Sequence, residues 1–151
     1  MQNTPNMNVT GMAGHLIRRL NQLSTQVFMH RTQEEGFDLT PVQFAALDAI
    51  YANPGLDQAR IAAKIAYDKA TIGGVIDRLE QKGFVVRSIS KSDRRAREVR
   101  LTNSGRKTYD NILPIVSELQ TEILAGLDPK QQEQLRNLVV KIIHAASGNQ
   151  E

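Results

Sequence analysis

The 151-residue sequence predicts a mainly α-helical chain carrying one small β-hairpin. Three observations carry that expectation. Apolar residues recur at spacings of three and four along most of the length, as one buried helix face requires. The pairs Thr40-Pro41 and Asp128-Pro129 each stand before such a run, with Gln43 and Gln131 placed to bond back to the cap. The pattern changes once, between Phe84 and Leu101, where β-branched residues and the alternating Arg97-Glu98-Val99-Arg100-Leu101 flank a polar loop, Ser90 to Ala96.

Residues 1–11 are polar and are expected to form a disordered tail, as are 148–151. From Met12 to about Gln33, Leu16, Leu20, Leu23 and Val27 make the stripe of a long helix, widened by Ile17 and Phe28. Its first turns also carry His15, Arg18, Arg19 and Gln22, which do not all fall on one outward face. After a break at Gly36 to Leu39, Thr40 caps a helix with Phe44, Leu47, Ile50 and Tyr51 along its apolar side, ending before Asn53-Pro54-Gly55. A short helix from Asp57 to about Ile65 turns Ile61, Ala62 and Ile65 inward.

Asp68 opens the next helix, whose core stripe is Ile72, Val75, Ile76 and Leu79 and which stops at Lys82-Gly83. The opposite side holds Ala70, Gly73, Gly74, Asp77 and Gln81, flanked by Thr71 and Arg78. Two glycines inside an exposed helix cost about 1 kcal/mol each against alanine. Close helix packing or close approach to a ligand or nucleic acid would compensate, and the position of Gly74 opposite the core stripe favours the second.

Thr102 caps a helix running to about Leu127, with Ile112, Leu113, Ile115, Val116, Leu119, Ile123 and Leu124 apolar and Pro114 expected to kink or break its ladder. The last helix, opened at Asp128, carries Leu135, Leu138, Val139, Ile142 and Ile143. The first, fifth and sixth helices have little of their own chain left to cover, which predicts a homodimer built from them. Removing everything after Asp128 is accordingly expected to uncover Ile115, Leu119 and Ile123. The organisation is then one folded unit over 12–147, with dimerisation helices at 12–35 and 103–147 around a reading region at 40–102.

Composition narrows the functional classes. Zero cysteines remove disulfides, thiolate catalysis and thiol redox sensing, and no apolar run is long enough to span a bilayer, so a cytoplasmic protein is expected. Three histidines, with no nucleophile elbow, phosphate loop or zinc-binding helix pair, leave no catalytic residues, metal site or cofactor to assign. His30 and Glu34 lie one turn apart, which reads as a surface contact. The absence of tryptophan and the scarcity of other aromatics argue against RNA stacking.

Charge is concentrated. Between Arg87 and Arg100 six cations (Arg87, Lys91, Arg94, Arg95, Arg97, Arg100) face two anions, Asp93 and Glu98, a local +4 in a chain whose total is only +3. Two short helices joined through Ala66-Tyr67-Asp68, followed by this basic ribbon, make a winged helix-turn-helix suited to double-stranded DNA. In that arrangement Thr71, Gly74 and Arg78 lie nearest the bases, with Ala70, Gly73 and Asp77 on the same face. Lys69, Gln58 and Arg60 face the phosphates, and Lys91, Arg94, Arg95 and Arg97 form the wing contacts, Arg95 to the minor groove or to phosphates.

The segment resembles the recognition helix and wing of the multiple-antibiotic-resistance-regulator (MarR) family. That family's wing signature, D-x-R followed by five residues and L-T, is matched by Asp93, Arg95, Leu101 and Thr102, and the order of helices agrees from about 12 to 147. The resemblance implies a homodimeric repressor on a palindromic operator, with Asp93 orienting a nearby wing arginine by a charge-assisted bond. It also implies release by a small aromatic carboxylate held between the dimer helices and the reading head. The stretch Gly14-His15-Leu16-Ile17-Arg18-Arg19 is similar to one in regulators of aromatic-acid catabolism, including nicotinate breakdown. The expected ligand set is His15, Arg18, Arg19 and Gln22 for the carboxylate and ring polar groups, with Phe44, Leu47 and Tyr51 as apolar walls. The alternative is a DNA-binding or architectural protein with no small-molecule sensor.

Overall fold

The computed structural model describes residues 8–148, and every helix in it starts or stops where the sequence supplies the chemistry for it. A short 3-10 turn at Val9–Gly11 lies inside the segment expected to be tail and leads into α1 (Ala13–Glu34). The rest of the two expected tails, 1–7 and 149–151, lies outside the described residues.

α2 (Pro41–Ala52) opens on a reciprocal cap, the Gln43 N–H donating to Thr40 Oγ1 and the Thr40 N–H to Gln43 Oε1, both at 3.2 Å. A two-residue strand β1 (Leu56–Asp57) runs directly into α3 (Gln58–Lys64), where the Asp57 carboxylate accepts the Arg60 N–H at 2.9 Å. Asp68 does the same for α4 (Lys69–Gln81), accepting from Ala70 at 2.9 Å. Strands β2 (Val85–Ile89) and β3 (Arg97–Leu101) form the hairpin, α5 (Asn103–Ile123) follows, and α6 (Pro129–Gly148) begins on a second reciprocal cap between Asp128 and Gln131.

Three helix ends share one device. In α1, α3 and α4 the backbone turns left-handed just past the last turn, and two N–H groups reach back to carbonyls three and five residues earlier, as in Phe84 to Leu79 and Gly83 to Glu80. Glycine takes the left-handed position in α1 and α4, at Gly36 and Gly83. In α3 it is Ala66, with φ of 54°, in the middle of the helix-turn-helix.

The expected two-stranded ribbon is a three-stranded antiparallel sheet in the order β1-β3-β2. Leu56 pairs with Val99 and Asp57 with Glu98, which anchors the root of the wing to the start of α3. On the other side Val85 faces Leu101 and Arg87 faces Val99.

The core gathers Leu47 and Ile50 of α2, Ile61 of α3, Ile72, Ile76 and Leu79 of α4, Val85 and Val99 of the sheet, and Ile112 and Leu119 of α5, each no more than 1 % exposed. α5 is a structural member of the monomer core, packed on α1 and α2, and α6 is not what covers Leu119. Arg31 of α1 reinforces the packing: its guanidinium donates to Glu118 at 3.1 Å and lies 3.0 Å from Glu122 in an ion-pair contact whose angle falls short of a hydrogen bond. Pro114 does not divide α5, which runs on as one helix. Both Pro114 and Asp110, whose carbonyl loses its donor, are exposed, so water can satisfy the freed oxygen.

No residue of α6 is buried, and Leu138, Ile142 and Ile143 stand 56–65 % exposed. The front of α1 is similar, with Leu16 and Ile17 more than half exposed. Among the described residues, those two faces carry the longest runs of exposed apolar side chains, while α5 exposes Leu113 at 39 %.

Candidate nucleic-acid interface

α4 buries Ile72, Val75, Ile76 and Leu79 and turns Ala70, Thr71, Gly74, Asp77, Arg78 and Gln81 to solvent, the division expected from its period. Lys69 opens the helix, and its side chain lies outside the described residues. Neither glycine is demanded by packing within the chain. A Cβ on Gly74 would meet nothing within 4 Å, and one on half-buried Gly73 would meet only Gln58 Nε2 at 3.9 Å, an ordinary contact. Close helix packing within the chain therefore does not account for the pair, and a face with no side-chain bulk over its middle turn is left open to an incoming surface.

The wing loop is folded by its own polar groups. Ser90 Oγ accepts the N–H groups of Ser92 and Asp93, each at 3.3 Å, and the Ser90 N–H reaches the Ala96 carbonyl at 3.1 Å. Asp93 acts differently from expectation. Its carboxylate accepts the backbone N–H of Arg95 at 2.9 Å, an Asx turn, and no arginine side chain pairs with it among the described residues. Asp93 thus shapes the tip through its backbone bond. Lys91, Arg94, Arg95 and Arg97 are exposed with no acid partner among the described residues.

The other two cations of the ribbon are committed elsewhere. Arg100 lies 3.6 Å from Glu98. Arg87 sits opposite buried Val99, so its side chain leaves the inner face of the sheet and meets three partners. It pairs with Asp77, bonds Glu80 through Nη2 at 3.2 Å and Nε at 3.4 Å, and donates from Nη1 to Gln58 Oε1 at 3.0 Å. The hydrogen bonds that Arg87 donates hold the Glu80 carboxyl below its usual pKa, and the acceptors Glu80 and then Asp77 raise that of Arg87. Counting charge along the ribbon hid this, since only the strand register tells which arginine faces inward. Arg60 is exposed and lies 3.6 Å from its own cap, Asp57.

The expected ligand residues are only partly assembled. On α1, His15 Nδ1 lies 3.3 Å from Arg18 Nη2, while Arg18, Arg19 and Gln22 are exposed. On α2, Leu47 is fully buried, so it backs the core and lines no cleft. Phe44 and Tyr51 belong to an aromatic ladder: Phe28 on Phe44 with centroids 6.2 Å apart, Phe44 stacked on Tyr109 at 5.8 Å, and Tyr109 stacked on Tyr51 at 4.4 Å. Arg106 closes it, its guanidinium carbon 5.7 Å from the Tyr51 ring centre. No hydrogen bond joins the α1 cluster to this wall among the described residues.

Tyr109, Asp48 and Arg106 were absent from the sequence reading. The Tyr109 hydroxyl donates to Asp48 Oδ1 at 2.6 Å, and burial, then that bond, pushes its pKa up to about 12. Tyr109 falls three residues before Ile112 on the Ile112-Val116-Leu119 stripe, and that spacing was the available signal. Along α2, Phe44, Asp48 and Ala49 line an open groove of about 530 Å³ that reaches Lys64 at the end of α3 and Ile65 just past it.

Comparison with known proteins agrees with this geometry. Residues 39–96 match the MarR family model. The transcriptional regulator HosA of Escherichia coli O111:H- is 34 % identical over 92 % of this chain and 100 % of its own length. The HTH-type transcriptional repressor NicR of Pseudomonas putida is 31 % identical over 95 % of this chain and 89 % of NicR. Among solved structures, BpsR of Bordetella bronchiseptica, described for the regulation of its DNA binding by 6-hydroxynicotinic acid, superposes with a TM-score of 0.81 at 27 % identity, covering 89 % of this chain and 95 % of that one. The wing signature, the winged helix-turn-helix and the full-length similarity agree: the chain belongs to the MarR family of transcriptional regulators.

Proposed function

We propose that the protein is a cytoplasmic, homodimeric repressor that reads a palindromic operator and releases it when a small aromatic carboxylate binds. The observation that carries the DNA reading is the pairing state of the cations. Lys91, Arg94, Arg95 and Arg97 are exposed and free of acids among the described residues, on a ribbon beside the glycine face of α4. In this reading Thr71, Gly74 and Arg78 meet base edges in the major groove, Lys69 and Arg60 meet phosphates, and Arg95 enters the neighbouring minor groove.

The unpartnered faces of α6 and of the front of α1 support the dimer. A 20-residue helix with no buried residue is marginal by itself in water, and burying its apolar face against a second copy supplies the missing packing. A two-fold pair of heads reads half-sites about 34–36 Å apart.

The effector reading is supported by chemistry and by the likeness to BpsR, whose DNA binding is described as regulated by 6-hydroxynicotinic acid. A carboxylate suits the guanidinium groups of Arg18 and Arg19, a ring nitrogen or hydroxyl suits His15, and the ring suits a wall of Phe44 and Tyr51 extended by Tyr109. A ligand seated between α1 and that wall changes the angle of the reading head, and about 1–3 kcal/mol of differential affinity shifts occupancy 5- to 150-fold.

Selection of a duplex from a random pool, footprinting, and calorimetry with 6-hydroxynicotinate and hydroxybenzoates test the whole reading. A dyad footprint is expected, with micromolar binding of one such acid that lowers DNA affinity. Arg18→Ala with Arg19→Ala should abolish the response while sparing DNA binding in its absence. A footprint without symmetry overturns the dimeric operator, and an unaltered response in the double variant removes α1 from the ligand site.

A further inference from the structure

Arg87 belongs to the most basic stretch of the chain, yet its guanidinium has little left to offer a phosphate. Nε and Nη2 are turned onto Glu80 and Asp77, and Nη1 onto Gln58, so four of the five N–H directions of an arginine are taken. The three partners sit on two other elements. Asp77 lies on the open face of α4 between Gly74 and Gln81, Glu80 follows it by one turn, and Gln58 begins α3. Gln58 in turn lies against Gly73, its Nε2 3.9 Å from where a Cβ would stand. One residue of β2 therefore ties the wing, the supporting helix and the recognition helix together.

The same contacts settle a charge problem. Asp77 and Glu80 are half exposed on or beside the face that would approach a polyanion, with side-chain exposures of 54 % and 43 %. Two carboxylates there repel phosphate. A cation bonded to both from the protein side cuts their net charge from −2 to −1 without itself reaching the DNA.

We infer that Arg87 is a positioning residue for operator recognition: it fixes α4 against the wing and α3 and offsets one of the two negative charges of Asp77 and Glu80, and it is not a phosphate contact. This rests on the proposal that α4 and the wing read DNA. The two roles separate experimentally. A phosphate contact, when lost, lowers the slope of log affinity against log salt by about one, and the loss is independent of nearby acids. A neutralising clamp loses its importance once the acids are gone.

The test is a cycle on the full-length protein and its selected operator: the parent, Arg87→Ala, Asp77→Asn with Glu80→Gln, and the triple variant, each titrated at several salt concentrations. Arg87→Ala alone should weaken binding by about 10- to 100-fold with the salt slope of the parent retained, as expected for loss of a charge-bonded clamp. In the neutralised background the same substitution should cost less than about threefold, the coupling that two groups in contact show. Should Arg87→Ala alone fail to fold, the comparison of the acid-neutralised protein with and without Arg87 still decides. An equal loss in both backgrounds, or a slope lowered by one, overturns the inference and makes Arg87 a phosphate contact. A parent that selects no duplex at all overturns the DNA reading along with it, whereas a parent that binds with additive losses overturns only the role of Arg87.

Discussion

The carbonyl oxygen of Phe84 occupies the place where a side chain on Gly105 would begin: a Cβ built there would stand 2.0 Å from it. The contact exists because Thr102 caps α5 and is itself held to the end of α4. Its hydroxyl donates to the Gly83 carbonyl at 2.6 Å and its N–H to Phe84 at 3.0 Å. The first turn of α5 is thereby pressed onto the chain entering β2, and the reading head is joined to α5 at that point.

Gly105→Ala should therefore be disproportionately costly for a substitution that usually favours a helix. Backbone cannot swing aside as a side chain can, so the loss belongs at the upper end of the about 1–3 kcal/mol that overpacking costs. Urea denaturation measures it. A variant as stable as the parent would mean that α5 and the root of the wing can separate freely.

Ala66 makes the opposite prediction. It holds the left-handed position that ends α3, at φ of 54°, where its counterparts in α1 and α4 are glycines. The left-handed conformation costs a residue with a Cβ about 1–2 kcal/mol. Glycine gives back about 0.5–1 kcal/mol through its freer unfolded state. Ala66→Gly should stabilise the protein by a net of about 0.5–1 kcal/mol, read as a higher denaturation midpoint at unchanged slope. A lowered midpoint would contradict the strain.

The local chemistry of this fold was legible because it is local. Thr40 with Gln43, Asp57, Asp68, Thr102 and Asp128 each cap the helix that follows, and Gly36 and Gly83 each end one, all within five residues of the groups they satisfy. What needed the third dimension was missed. Leu56–Asp57 is too short to announce itself as a strand and becomes one only by pairing with Val99 and Glu98 some forty residues on. Arg87 is one of six cations in the charge count along the ribbon, and only the register that sets it opposite Val99 shows that it turns inward. Tyr109 was passed over between two polar neighbours, yet it is the centre of the aromatic ladder.

Tyr109 provides a pH dependence. Its folded pKa of about 12 exceeds the ordinary 10.0, so the unfolded chain releases this proton first as pH rises. The stabilisation is complete below about pH 10 and is lost progressively up to about 12. A tyrosinate absorbance step near pH 12 should disappear in Tyr109→Phe, and the stability of that variant should fall less between pH 10 and 12 than that of the parent. If the step that Tyr109→Phe removes lies at the ordinary 10.0 instead, neither burial nor Asp48 holds this proton in the folded protein.

The last prediction concerns what α6 is for. Ile112, Val116 and Leu119 of α5 are buried by α1, α2 and the rest of the head, and no residue of α6 contributes to that core. A chain ending at Leu127 should accordingly keep one cooperative unfolding transition, because the buried cluster that supplies most of the stability is intact. It should sediment as a single chain, since the apolar row from Leu135 to Ile143 that a second copy would cover has been removed. Operator affinity should then fall by far more than any single wing substitution brings, because two linked heads bind with an avidity that exceeds either alone by about 10²–10⁴. A truncated protein that stays dimeric places the interface on the front of α1, at Leu16, Ile17, Leu20 and Leu23. One that loses its unfolding transition shows that the α5 core depends on its partner after all.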